Sequence, residues 1–156
     1  MEKTNNNCNH FGVHLTIDGY EGDFNKLNER SVVYRFLDEL PNTLGMKKMH
    51  EPVLVAAMAN DKKDEGGWTG VVTIAESHLS IHTFPARGFV SADVYTCHNE
   101  LDQVLISKFI KELFSLQETE EHVIIRGTKY PIAELSERKM PSGILPNDIV
   151  FPATEN

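Results

Sequence analysis

A chain of 156 residues, 40% hydrophobic and 24% charged, is long enough to fold as one globular domain around a real core. Its net charge of -8 excludes a general nucleic-acid binder, which carries a basic stripe, and gives no attraction to an anionic membrane. No apolar run approaches the roughly 20 residues that span a bilayer, and the polar start Met1-Glu2-Lys3-Thr4 lacks the apolar stretch of a secretory signal. Two cysteines, Cys8 and Cys97, make no disulfide framework, so a reduced, cytoplasmic protein is expected.

Residues 1–10 are polar and Asn-rich and read as a flexible arm. From Phe11, Val13, Leu15 and Ile17 alternate with His14, Thr16 and Asp18, the pattern of a half-buried strand ending at Gly19. Between about Asn28 and Leu44, Val33, Phe36, Leu37, Leu40 and Leu44 recur at helical spacing; Pro41 is expected to end or kink that helix and Gly45 to close it. Pro52–Met58 is a second strand, and Asn60–Gly67 a charged, glycine-bearing loop. Gly70–Ala75, Leu79–Phe84 and Phe89–Thr96 are three further strands, the last two joined by Pro85-Ala86-Arg87-Gly88. Leu101, Val104, Leu105, Phe109, Leu113 and Phe114 mark a second amphipathic helix, and His122–Ile125 a final short strand. Residues 128–156 hold Pro131, Pro141, Pro146 and Pro152 and are expected to form an extended, proline-broken tail.

Two helices among six mostly antiparallel strands predict a two-layer α/β sandwich over residues 11–127, with the helices on one face of the sheet. The other face is then half-buried or covered by a second copy of the chain, which makes a homodimer the expected assembly.

The run Glu76-Ser77-His78-Leu79-Ser80-Ile81-His82-Thr83-Phe84-Pro85, with Asp93-Val94-Tyr95-Thr96-Cys97 after it, places a serine, two histidines and a cysteine on neighbouring strands. A serine in a constrained turn can attack its own preceding carbonyl and convert the amide to an ester. Elimination then leaves dehydroalanine, which hydrolyses to a pyruvoyl group. That chemistry needs a well-placed peptide bond, a donor for the oxyanion and a base for the α-proton. Taken singly, Ser77 is a turn serine, His82 a core histidine and Cys97 a small buried hydrophobe. A metal site built from His78, His82, Cys97 and His98 lacks the short paired spacing typical of zinc.

The two segments together resemble the cleavage and catalytic motif of the pyruvoyl-dependent S-adenosylmethionine decarboxylase family. That resemblance implies cleavage between Glu76 and Ser77, giving a β chain of residues 1–76 and an α chain of 77–156 that begins with the pyruvoyl cofactor. It implies that His82 takes the α-proton, that Thr69 stands where the family has a serine hydroxyl assisting the ester step, and that Cys97 reprotonates the decarboxylated carbon. The pyruvoyl carbonyl of Ser77 would form a Schiff base with the amine of S-adenosylmethionine in polyamine synthesis, with no metal or diffusible cofactor. Phe84 is the aromatic expected to stack on adenine. Two positions depart from the pattern. Ala86 replaces the glutamate that receives the ribose hydroxyls, and Lys63 stands where a second aromatic is expected. A related decarboxylase of L-ornithine or L-arginine is therefore the second reading, and an unprocessed regulatory homologue the third.

Overall fold

Alternating side chains on six strands divide this molecule into one apolar face and one polar face. The computed structural model describes residues 10–60 and 65–131. Its elements run β1 (Gly12–Tyr20), α1 (Phe24–Asn28), α2 (Arg30–Thr43), β2 (Val53–Ala57), β3 (Gly67–Ile74), β4 (Ser77–Phe84), β5 (Phe89–Thr96), α3 (Gln103–Phe114) and β6 (Glu118–Arg126). One 3-10 turn, Pro85–Arg87, links β4 to β5. The strands form a single sheet in the order β2-β3-β4-β5-β1-β6, and every neighbouring pair is antiparallel.

Register carries the period of two across the whole sheet. Leu15 lies opposite Val94, Val94 opposite Leu79, and Leu79 opposite Val72, so these four apolar residues share one face. Ile17, Ala92 and Ile81 form the next row. Both rows are fully or almost fully buried, together with Val33, Phe36, Leu37 and Leu40 of α2 and Ile106, Ile110 and Phe114 of α3. Fully burying one such aliphatic side chain is worth about 1.5–3 kcal/mol, and this layer supplies most of the folding drive. The architecture is the expected two-layer sandwich with its helices on one face.

Several elements differ from the sequence reading, each for a physical reason. A five-residue helix, α1, precedes the long helix; Asp23 caps it by accepting from the Lys26 N–H, and only Leu27 is buried, too little for a periodic signal. Pro41 does not end α2, which runs on to Thr43: proline removes only its own N–H donor, and the Leu40 and Pro41 carbonyls still accept from the Leu44 and Met46 N–H groups at 3.0 and 2.8 Å. The end comes at Gly45, whose φ of 69° is left-handed. Strand β6 runs from Glu118 rather than His122, since pairing to β1 as far as Tyr20–Glu118 satisfies its backbone although its side chains are polar. It is an edge strand, and charge on an edge is what keeps other chains from adding to it. The amino-terminal arm, Asp61–Asp64 and most of the proline-rich tail lie outside the described residues. No described helix is long and apolar enough to cross a membrane.

Ile81 sits in the centre of this apolar layer, fully buried. Ile81→Ala is expected to cost about 2–5 kcal/mol, read as a lower denaturation midpoint in urea at unchanged slope.

Candidate functional site

The turn between β3 and β4 contains two residues, Ala75 and Glu76, and it is tethered from both sides. The Ala75 N–H donates to the Lys47 carbonyl at 2.8 Å, and the Cys97 N–H donates to the Glu76 carbonyl at 2.9 Å. Glu76 therefore presents its carbonyl oxygen to a fixed backbone donor, just before Ser77. Its side chain is held as well: Oε2 accepts from the Lys47 N–H at 3.4 Å, and Oε1 lies 4.0 Å from His98 Nε2. Ser77 Oγ is 3.2 Å from His78 Nδ1, and Ser77 pairs with Thr96, the residue before exposed Cys97. Thus Glu76, Ser77 and Cys97 converge at one end of the sheet.

Thr69 and His82 converge elsewhere. They are directly opposite across β3 and β4, with Thr69 Oγ1 3.1 Å from His82 Nδ1. Ser77 and His82 are five positions apart on one strand, roughly 16 Å at the usual rise per residue. A single chain thus builds two half-sites, one with Ser77 and Cys97, the other with Thr69 and His82.

The second half-site lies on the open face of the sheet and continues toward Phe84. The Phe84 ring packs against Phe89 at 5.4 Å, and Phe89 against Tyr20 at 5.4 Å, making an aromatic row. Ala86 follows in the exposed 3-10 turn. Lys63 lies outside the described residues.

The sequence reading did not assign a polar network that occupies the centre of this face. Asp93 Oδ1 is 3.0 Å from His14 Nε2, and Asp93 Oδ2 accepts from Ser80 Oγ at 2.9 Å. Arg126 Nη1 is 3.1 Å from His14 Nδ1, and its guanidinium lies 4.9 Å from the centroid of the Tyr95 ring. Period-two alternation puts His14, Ser80, Asp93 and Tyr95 on one face, but no local pattern says that they meet. Around the network, Val53, Val55, Val71 and Ile124 are exposed.

Two half-sites on the β3–β4 hairpin of an antiparallel α/β sandwich, with a serine following a backbone-anchored carbonyl, define the class of site. The comparisons give that class a family. Residues 13–127 match the S-adenosylmethionine decarboxylase family. The S-adenosylmethionine decarboxylase proenzyme of Bacillus cytotoxicus is 34% identical over 117 residues, spanning 75% of this chain and 85% of that protein. The proenzyme of Geobacillus kaustophilus is 34% identical over 118 residues, spanning 76% and 89%. The crystal structure of the adenosylmethionine decarboxylase from Aquifex aeolicus superposes with a TM-score of 0.65 at 25% identity, covering 83% of this chain and 98% of that one. This chain belongs to the S-adenosylmethionine decarboxylase family, a family of carboxy-lyases.

The bond from the Cys97 amide to the Glu76 carbonyl separates the backbone of Cys97 from its thiol. For a chain that cuts itself after Glu76, Cys97→Pro removes that donor and is expected to slow the cut by about 100-fold or more, while Cys97→Ala keeps both the donor and the cut. The readout is the appearance of two chains on denaturing electrophoresis over time.

Proposed function

We propose that this chain is a self-processing, pyruvoyl-dependent decarboxylase of S-adenosylmethionine, acting in polyamine synthesis. The observation that carries the reading is the Cys97 N–H held on the carbonyl of Glu76, beside Ser77. In processing, Ser77 Oγ attacks the Glu76 carbonyl carbon and the oxyanion develops against that N–H. The C–N bond then breaks, and the proton from the hydroxyl goes to the nitrogen, leaving an ester. Removal of the Ser77 α-proton breaks the Cβ–Oγ bond and releases Glu76 as a carboxylate. The dehydroalanine left behind takes up water, loses ammonia and becomes the pyruvoyl terminus of chain 77–156.

The residues around Ser77 suit such a group. The turn is fixed on both sides, and Cys97, exposed and next to Thr96, can deliver a proton to a carbon held there. The pyruvoyl carbonyl supplies an electron sink for loss of carbon dioxide. Thr69 and His82 are assigned to processing: the hydroxyl as oxyanion partner, the imidazole as base for the α-proton. Because their half-site is roughly 16 Å from Ser77 along β4, we assign them across a homodimer. Two copies packed by their open faces in opposite directions would bring each Thr69–His82 pair to the other copy's Ser77. The exposed Val53, Val55, Val71 and Ile124 give that face apolar area to bury.

Ala86 favours a second reading. Its methyl group cannot accept a hydrogen bond from ribose, so a smaller α-amino acid, L-ornithine or L-arginine, is the alternative substrate. Purified protein incubated with each carboxyl-labelled amino acid should release carbon dioxide from S-adenosylmethionine. Release from ornithine or arginine alone would replace the first reading by the second. On denaturing gels the mature enzyme is expected as chains 1–76 and 77–156, with a ketone mass at the start of the latter. One intact, inactive chain would instead support a regulatory homologue.

The split site makes its own prediction. Neither Ser77→Ala nor His82→Ala homodimers should cleave. Co-expression should restore cleavage only to the His82→Ala chain, which keeps Ser77 and borrows an imidazole from its neighbour. Tagged chains resolved by mass spectrometry would read this out, and cleavage of neither chain defeats the two-copy assignment.

A further inference from the structure

The helices leave one end of the sheet's last strand uncovered. Val123 and Ile125 of β6 stand opposite Leu15 and Val13 of β1, both buried. Residues directly across an antiparallel pair share a face, so Val123 and Ile125 lie on the helix-bearing side. They are nevertheless 48% and 47% exposed. Helix α3 reaches this face of β6 at Glu121, whose carboxylate accepts from Gln103 Nε2 at 2.9 Å and from Ser107 Oγ at 2.5 Å. Val104, in the first turn of α3, is 79% exposed and lines a cleft of about 480 Å3 together with Ser107 and Glu121. Val123 is the next residue after Glu121 on that face, so three aliphatic side chains border one groove. Charges there balance, Lys108 and Lys111 against Glu112 and Glu121, so apolar contact is what an occupant must offer.

The chain carries a candidate occupant of its own. After β6 the backbone turns at Gly127, with φ 65°, and the Tyr130 N–H donates to the Gly127 carbonyl at 2.9 Å. The Tyr130 ring packs on Phe11 at 4.8 Å, while the Phe11 N–H donates to the Arg126 carbonyl at 2.9 Å. Pro131 is therefore held near the Ile125 end of the strand. Two apolar clusters follow it in the sequence, Ile144-Leu145 and Ile149-Val150-Phe151. The stretch from Pro131 to Ile144 can reach roughly 45 Å when extended, against roughly 13 Å from Ile125 to Glu121. We infer that residues 144–151 dock in this groove and pack their apolar side chains on Val104, Val123 and Ile125. Leu145 and Phe151 each precede a proline, which biases them to the extended backbone that fits beside a strand. Tethering through Pro131 gives the segment an effective concentration of about millimolar, an advantage that no separate chain has. The homodimer proposed above uses the opposite face of the sheet, so the two surfaces do not compete.

This docking is independent of the decarboxylase reading: α3, β6 and the tail all follow residue 77 and stay in one chain whether or not it is cut. The test places the photo-crosslinking side chain p-benzoylphenylalanine at Val123 of the full chain, and separately at Val104, a surface position that tolerates the change. After irradiation, peptide mass spectrometry is expected to find crosslinks to residues 144–151. The crosslinked product should keep the mass of a single chain on denaturing electrophoresis. The double variant Ile149→Asp with Val150→Asp is expected to lower the yield about 10-fold or more. A product of twice the chain mass assigns the groove to a second copy, and a product with another protein assigns it to a separate partner. Either result overturns the proposal, as do crosslinks confined to other segments, no crosslink at all, or a yield the double variant leaves unchanged.

Discussion

The register of the β3–β4 hairpin is the constraint on which the rest depends. Because only Ala75 and Glu76 form the turn, Ile74 must face Ser77, and every later pair, down to Thr69 and His82, follows. A slip of one residue would move Leu79 and Ile81 out of the core and bury His78, Ser80 and His82. The burial of Leu79 and Ile81 under α1 and α2 is therefore what keeps the polar residues outside. Core packing and site geometry are one requirement seen from two faces.

The same register separates the chemistry into halves. A rigid strand cannot fold back on itself, so residues five apart on β4 stay roughly 16 Å apart. Ser77 gains its neighbours from the end of β5 instead, through the Cys97 N–H, while His82 gains Thr69 from β3. Between them, Asp93 ties His14 to Ser80 and stiffens the middle of the open face. That face carries charged and aromatic groups among exposed valines, a composition suited to burial against a matching surface rather than against helices.

How much of this could be read beforehand varied with how local its cause is. Val13, Leu15 and Ile17 alternate in the sequence and are buried, because a strand with one covered face must show that period. Strand β6 hid its first half, since Glu118, Glu120 and Glu121 satisfy their backbone by pairing with β1 while contributing little apolar signal. The α1 helix hid because five residues cannot display a helical period. The contiguous run Glu76–Pro85 made Ser77, His82 and, with Asp93–Cys97, the thiol legible as a motif. Their distances were not legible.

Sequence alone determined the chemistry on offer: which residues are apolar and at what period, that a serine follows Glu76, and that Ala86 has no acceptor to give. These are local properties, carried by side-chain identity and spacing. Only the tertiary structure decided who meets whom. Hydrogen-bonded register set Thr69 against His82, β4–β5 pairing brought the Cys97 amide to the Glu76 carbonyl, and the turn after β4 brought Arg87 to Glu65. Such contacts join residues distant in the chain, and the energy that selects them comes from burying the opposite face.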